Sequence, residues 1–277
     1  MRLQAIHAIV ELIPLEAAPV GAFVLGGYAL DGLRYVERPV IGSGTLITST
    51  GLILTNAHVV ARGKSPAALI EVRVTDAPDR IARPAYLAKV VRFDAAHDLA
   101  AVQVVANLSG EPVAGLALPA VRVGSSLDLV PGDSVSILGY PAIGGRTLTF
   151  TAGQVSGFVG RDFQTAGRDF IKTDAKVSSG ASGGAALDDD GRLIGIPSSI
   201  VFDPSGAPQE SQNYLRPIEL AEESLGLAAL IAGATVDGRT AGPGELIFWV
   251  GAVAISIAAT ETQPGRPEPD GPRQPKR

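Results

Sequence analysis

A chain of 277 residues with a net charge of −5 and no cysteine has neither a disulfide framework nor a thiolate metal site. It carries no basic cluster within its main body, which speaks against nucleic acid as a partner. Thirty-three glycines beside only 5% aromatics suit many short strands joined by tight turns, and the length suits one large domain with something left over.

In chain order, Met1 to Glu16 makes a poor export leader, because Glu11 and Glu16 interrupt its apolar run and no small-residue cleavage site follows. Ala5–Leu15 reads instead as an opening strand carrying His7, and 17–30 as a strand and turn. Gly42–Thr48 and Leu52–Ala57 form a hairpin closed by Ser49-Thr50-Gly51. Further β-branched runs at Ile70–Thr75, Tyr86–Phe93 and Leu99–Val105 read as strands. Residues 106–124 form a crossing. Ser134–Tyr140, Thr147–Phe158, Phe170–Asp174, Ala185–Leu187, Leu193–Ser199 and Asn213–Ile218 supply a second set of strands, and Glu219–Leu230 begins a helix. Asp188-Asp189-Asp190 before Gly191 lacks the alternating spacing of a calcium loop and reads as a turn. No metal and no cofactor is expected.

Three local contexts carry chemistry. Gly180-Ala181-Ser182-Gly183-Gly184 places one hydroxyl among residues with almost no side chain. Such a turn lets the N–H groups of Gly180 and Ser182 converge where a negative oxygen forms on an attacked carbonyl. His58 closes the run Thr55-Asn56-Ala57-His58-Val59-Val60, and Asp98 heads the apolar strand His97-Asp98-Leu99-Ala100-Ala101-Val102. Singly, these are a strand-end histidine, a turn aspartate and a loop serine. Together, their order His58, Asp98, Ser182 is one of the known chain orders of a nucleophile, base and orienting carboxylate. Ser182 needs a base to take its proton, and Asp98 would hold the imidazole in the correct tautomer. His97 alternates away from Asp98 along the chain and reads as structural.

On GSGTLIT…GLILTNAHVV, HDLAAVQV, TDAKVSSGASGGAALDDDGRLIGI and NYLRPIEL, the sequence resembles the bacterial chymotrypsin-fold serine proteases of the HtrA (trypsin-like peptidase) type. The likeness covers about residues 40–220. It implies an all-β fold of two six-stranded antiparallel Greek-key barrels, with a C-terminal helix and apolar tail. Barrel one would occupy about 1–115 and barrel two about 125–220 of a domain spanning 1–225. The resemblance also implies that Pro141–Gly145 overhangs the site and that Ser198 supports the buried aspartate. It puts the wall of the primary substrate pocket at Ala175, Lys176 and Val177, facing Ser198, Ser199 and Ile200. Small and aliphatic walls favour a small or branched substrate side chain, provided that the Lys176 ammonium turns outward, as an isolated lysine does.

Two departures stand out. Ala181 replaces the residue that pairs with a newly cut amino terminus in animal zymogens, so activation by N-terminal cleavage is not expected. After Leu225 only about fifty residues remain, too few for the PDZ domain usual in the HtrA type. They form a separate stretch, 226–277. Leu246–Thr260 within it is apolar and would span roughly 22 Å as a helix, short of a ~30 Å hydrocarbon core. The Pro- and Arg-containing flank 263–277 reads as disordered. A short membrane anchor and a docked apolar segment are both open. The expected function is a serine endopeptidase acting on polypeptides. The alternative is a non-hydrolytic barrel that binds peptides or senses them. A cell-envelope or extracytoplasmic setting fits the resemblance, with the cytoplasm left open, and the oligomeric state is not legible.

Overall fold

The computed structural model describes residues 2–17, 28–30, 33–37, 41–62, 65–142, 145–202 and 208–236, together with the pairs 248–249 and 254–255. The chain opens with a helix, α1 (Arg2–Ala8), and only then enters strand β1 (Ile9–Ala17). The strand expected from Ala5 therefore starts four residues later. Its first residues, Arg2, Leu3, Gln4 and Ala5, are all good helix formers, and Ala5 and Ala8, one turn apart, are both buried. Strands β2 (Tyr28–Leu30), β3 (Leu33–Glu37), β4 (Gly42–Leu46) and β5 (Leu52–Thr55) follow. The expected hairpin pairs Thr45 with Leu54 and Leu46 with Ile53, and Gly51 takes φ +90° in its turn, the left-handed region that favours glycine.

After a one-turn helix α2 (Ala57–Val60) and the short ribbon β6 (Ala61–Arg62) and β7 (Ser65–Pro66) come β8 (Leu69–Val74), β9 (Arg83–Asp94) and β10 (Leu99–Asn107). Their order is β1-β4-β5-β10-β9-β8, and β8 pairs back onto β1 to close a six-stranded antiparallel barrel; β3 and β2 extend it outward from β1. The second barrel is also closed. It consists of β11 (Ser134–Gly139), β12 (Thr149–Val159), β13 (Phe170–Thr173), β14 (Ala185–Leu187), β15 (Leu193–Phe202) and β16 (Pro208–Pro217), in the order β11-β12-β13-β16-β15-β14. Closure gives every barrel strand a neighbour on both sides. β16 begins five residues before the expected strand.

The C-terminal helix is two helices, α3 (Ile218–Leu225) and α4 (Leu227–Val236), separated at Gly226 with φ 63°. A glycine at that position ends a helix without the penalty of a Cβ in left-handed space. Leu225 and Leu227 are both buried, so the compact unit, Met1–Gly238, extends past the break. One core cluster runs through both barrels, with Leu46, Ile53 and Val102 from the first joined to Leu138, Tyr140 and Ile196 from the second.

A separate unit comprises Arg239–Arg277. The apolar stretch 246–260, read above as an anchor or a docked segment, lies mostly outside the described residues. What is described is an antiparallel pairing of Phe248 with Ile255 and of Trp249 with Ala254. Among the described residues no helix is long and apolar enough to cross a membrane.

Candidate active site

His58 stands on α2, at the end of the inner hairpin, rather than on a strand. Val59 and Val60 are buried and anchor the turn. Asn56 precedes the helix yet makes no side-chain cap to it. Its amide donates instead to the carbonyl of Asp98, at 2.8 Å. That bond fixes a peptide in an uncommon state, since Asp98 has φ +55°, a conformation that aspartate tolerates better than most residues.

The Asp98 side chain is 1% exposed and its carboxylate is well supplied with donors. His58 Nδ1 lies 2.8 Å from Oδ2 and 3.0 Å from Oδ1. The His58 backbone N–H donates to Oδ1 at 2.9 Å, and the Ser198 hydroxyl donates to Oδ2 at 3.2 Å. Burying a carboxylate is costly unless its oxygens are hydrogen-bonded in this way. Because it only accepts, it places the proton of a neutral His58 on Nδ1 and leaves Nε2 as the basic nitrogen.

Ser182 sits on a turn held by Ala181 N–H to the Ser178 carbonyl and Gly184 N–H to the Ala181 carbonyl, both 3.0 Å. Two glycines are required there. Gly183, at φ +82°, would drive a Cβ into Thr55 Oγ1 and the Ser43 carbonyl, and Gly180, at φ +90°, into the backbone of Tyr140 and Ala142. The N–H groups of Gly180 and Ser182 donate to no acceptor among the described residues. Ser182 itself is 2% exposed, and the hydrogen bonds of its hydroxyl both run to Ser199, to Oγ at 2.6 Å and from N–H at 2.9 Å.

The pocket residues divide. Ala175 and Val177 are buried in the barrel-two core beside Val155, Ile171 and Leu215. Lys176 between them is exposed, and its carbonyl accepts from Thr151 Oγ1 at 2.8 Å. The lysine is therefore not a buried ammonium. Val177 N–H is held by the Asn213 side chain at 2.9 Å. Ser198 faces Asp98, Ser199 faces Ser182, and Ile200 continues β15. His97 pairs with Asp94 at 2.6 Å, and the half-buried His7, on α1, reaches the Thr75 carbonyl at 3.3 Å; neither touches Ser182.

Sequence reasoning passed over Ser43, which is fully buried. Its hydroxyl donates to the Gly180 carbonyl at 2.7 Å and accepts from Tyr140 N–H at 2.8 Å. Its own N–H donates to the Ser182 carbonyl at 2.8 Å. A hydroxyl between two glycines in an apolar strand was the available signal. Glu11 is likewise fully buried and is gripped by the Arg146 guanidinium, both bonds 3.0 Å, from the loop that carries Tyr140 and Pro141. Burial, and then the charge of Glu11, push the Tyr140 hydroxyl well above the usual tyrosine range. Arg216, a lone charge in Leu215-Arg216-Pro217-Ile218, stacks at 3.8 Å on the Phe170 ring. Burial pushes its guanidinium down to about 10. Among the described residues no group of acidic or histidine side chains is placed to hold a metal ion.

The trypsin-like peptidase domain matches residues 42–196. A "Probable periplasmic serine endoprotease DegP-like" of Marinomonas sp. (strain MWYL1) is 36% identical over 165 residues, 59% of this chain and 30% of the relative. "Protease Do-like 1, chloroplastic" of Arabidopsis thaliana is 37% identical over 185 residues, 65% of this chain and 37% of the relative. The chain thus spans about a third of the length of these curated relatives. Of solved structures, the HtrA-type protease AlgW with a tripeptide superposes with a TM-score of 0.57 at 28% identity, covering 83% of this chain and 62% of that one. Deg5, at 24% identity and a TM-score of 0.56, covers 84% and 92% and shares the fold.

Proposed function

The chain belongs to the trypsin-like peptidase domain family, and from that premise we propose that it is a serine endopeptidase working through an acyl-enzyme. The observation that carries the proposal is the buried Asp98 carboxylate bonded to His58 Nδ1 at 2.8 Å, in a chain that also presents Ser182 on a glycine turn. Ser182 Oγ attacks the scissile carbonyl while His58 Nε2 takes its proton. The carbonyl oxygen, now negative, is held by the N–H groups of Gly180 and Ser182, each such donor contributing ~3 kcal/mol to transition-state stability. The imidazolium, stabilised by Asp98, then gives the proton to the leaving amine. Water repeats the sequence on the ester and releases the acid. The residue before the scissile bond is placed between the turn 175–177 and the strand 198–200, with small and branched aliphatic side chains preferred.

Polypeptides are the substrates in this reading, as the peptide complex of AlgW suggests. Its setting is extracytoplasmic, in keeping with relatives named as periplasmic, and 246–260 is the stretch suited to meet a membrane surface. Labelling of the full chain with a fluorophosphonate, alongside peptide hydrolysis, tests the proposal. Wild type should label at Ser182. Ser182→Ala and His58→Ala should each lose at least about a thousandfold in turnover while keeping their thermal midpoint. Folded wild type that neither labels nor cleaves would leave the non-hydrolytic peptide-binding module as the function.

A further inference from the structure

Ser182 Oγ has Ser199 as its partner twice over, through the hydroxyl at 2.6 Å and the backbone N–H at 2.9 Å. The sheet explains how Ser199 comes to be there. In β15 Ser198 is opposite Tyr214 and Ile200 is opposite Glu210, so the register jumps between them and Ser199 is left out of the ladder. The extra residues are on β16, where 211–213 stand opposite Ser199 alone, so Ser199 has no ladder partner there. In β15 Ser198 reaches Asp98 and its neighbour Ser199 reaches Ser182.

We propose that Ser199 is a positioning residue that holds the Ser182 hydroxyl in a resting orientation, from which it must be released before attack. The inference rests on the serine endopeptidase reading above. Its chemistry follows from counting lone pairs and protons. Ser199 N–H occupies one lone pair of Ser182 Oγ. If Ser182 donates in the Oγ–Oγ bond, its proton points to Ser199 and not to the imidazole. If it accepts, both lone pairs are engaged and none is presented to a carbonyl. In either arrangement the attacking orientation requires Ser182 to leave Ser199, and the strength of that contact adds to the barrier.

Fluorophosphonate reports this step directly. Ser182 Oγ forms a bond to phosphorus, its proton passes to His58, and fluoride departs with the electrons of the P–F bond. In the full chain, S199A retains the N–H contact and loses the hydroxyl contact. Its labelling rate should exceed that of wild type by about three- to tenfold, the weight of one ordinary hydrogen bond. On peptide substrates kcat should rise, and the thermal midpoint should hold. S199T, which restores a hydroxyl, should return the rate to that of wild type. A residue that merely supported the strand would give slower labelling on truncation and no rescue. Wild type that labels, with S199A equal or slower, or S199T as fast as S199A, would overturn this inference alone. Absence of labelling in both wild type and S199A would bring down the endopeptidase reading and this inference with it.

Discussion

Ser43 joins three parts of the site through one residue. Its hydroxyl lies between the Gly180 carbonyl and the Tyr140 N–H, and its N–H supports the Ser182 carbonyl. Its carbonyl accepts from Thr55 Oγ1 at 2.7 Å, close beside Gly183, where a Cβ would have no room. Ser43 touches no reacting atom, yet the position of the oxyanion turn depends on it. Ser43→Ala would leave a buried N–H and a buried carbonyl short of a partner, each costing about 1–3 kcal/mol. The expected result is a fall in kcat of roughly ten- to a hundredfold with KM nearly unchanged, and a lower thermal midpoint. Steady-state kinetics on a peptide substrate beside a melting curve would check it. Wild-type kcat in the variant would show that the turn stands without Ser43.

At the scale of elements, α3 is tied to the segment between the barrels by one carboxylate. Glu219, in its first turn, accepts from the Ser125 hydroxyl and the Ser126 N–H at 2.8 Å each, and from the Ser126 hydroxyl. Burial by itself would raise this carboxyl, but the three donors outweigh it and hold it below the usual glutamate range. A carboxyl lowered in the folded state stabilises above its unfolded value of about 4.3, and that contribution fades as pH falls through the lower folded value. The midpoint of wild type should therefore exceed that of Glu219→Gln from pH 7 down to about 5, and the gap should close below about pH 4. A gap as wide at pH 3 as at pH 7 would show that ionisation of Glu219 is not what matters. Elements were legible where their signals are local. The hairpin at 42–55, the strand after Asp98 and the serine turn all carry their own glycines and β-branched runs. Less legible were α1, where an apolar run conceals two alanines at helical spacing, and the break at Gly226. The register shift opposite Ser199 was invisible, because it exists only in the pairing of its strand with Tyr214 and Glu210 on another. Glu11 is the sharpest case: as a sequence it reads as an acid spoiling an apolar run, and its partner Arg146 lies 135 residues away.

Across the whole molecule, the site is assembled from both barrels, with His58 and Asp98 from the first and Ser182, Ser198 and Ser199 from the second. The core cluster that runs through both makes them one folding unit rather than two hinged halves. This places the end of the unit beyond the last strand. Leu227 is 1% exposed, and Leu230 and Ile231 pack against the same cluster, so α4 belongs to the fold although the sequence reading ended the domain at Leu225. Every fully buried apolar side chain of the cluster lies between Ala5 and Leu227. Truncation after Gly238 should therefore leave the thermal midpoint within about 2 °C of the full chain and the fluorophosphonate labelling rate unchanged. Truncation after Leu225 removes a fully buried leucine with its neighbours, a loss of about 2–5 kcal/mol. It should lower the midpoint by roughly 5–15 °C at this size. Melting curves of the two truncated chains separate the outcomes. Equal midpoints for both would show that α4 contributes nothing to the barrels, and a large loss on removing only 239–277 would mean that the fold depends on the tail.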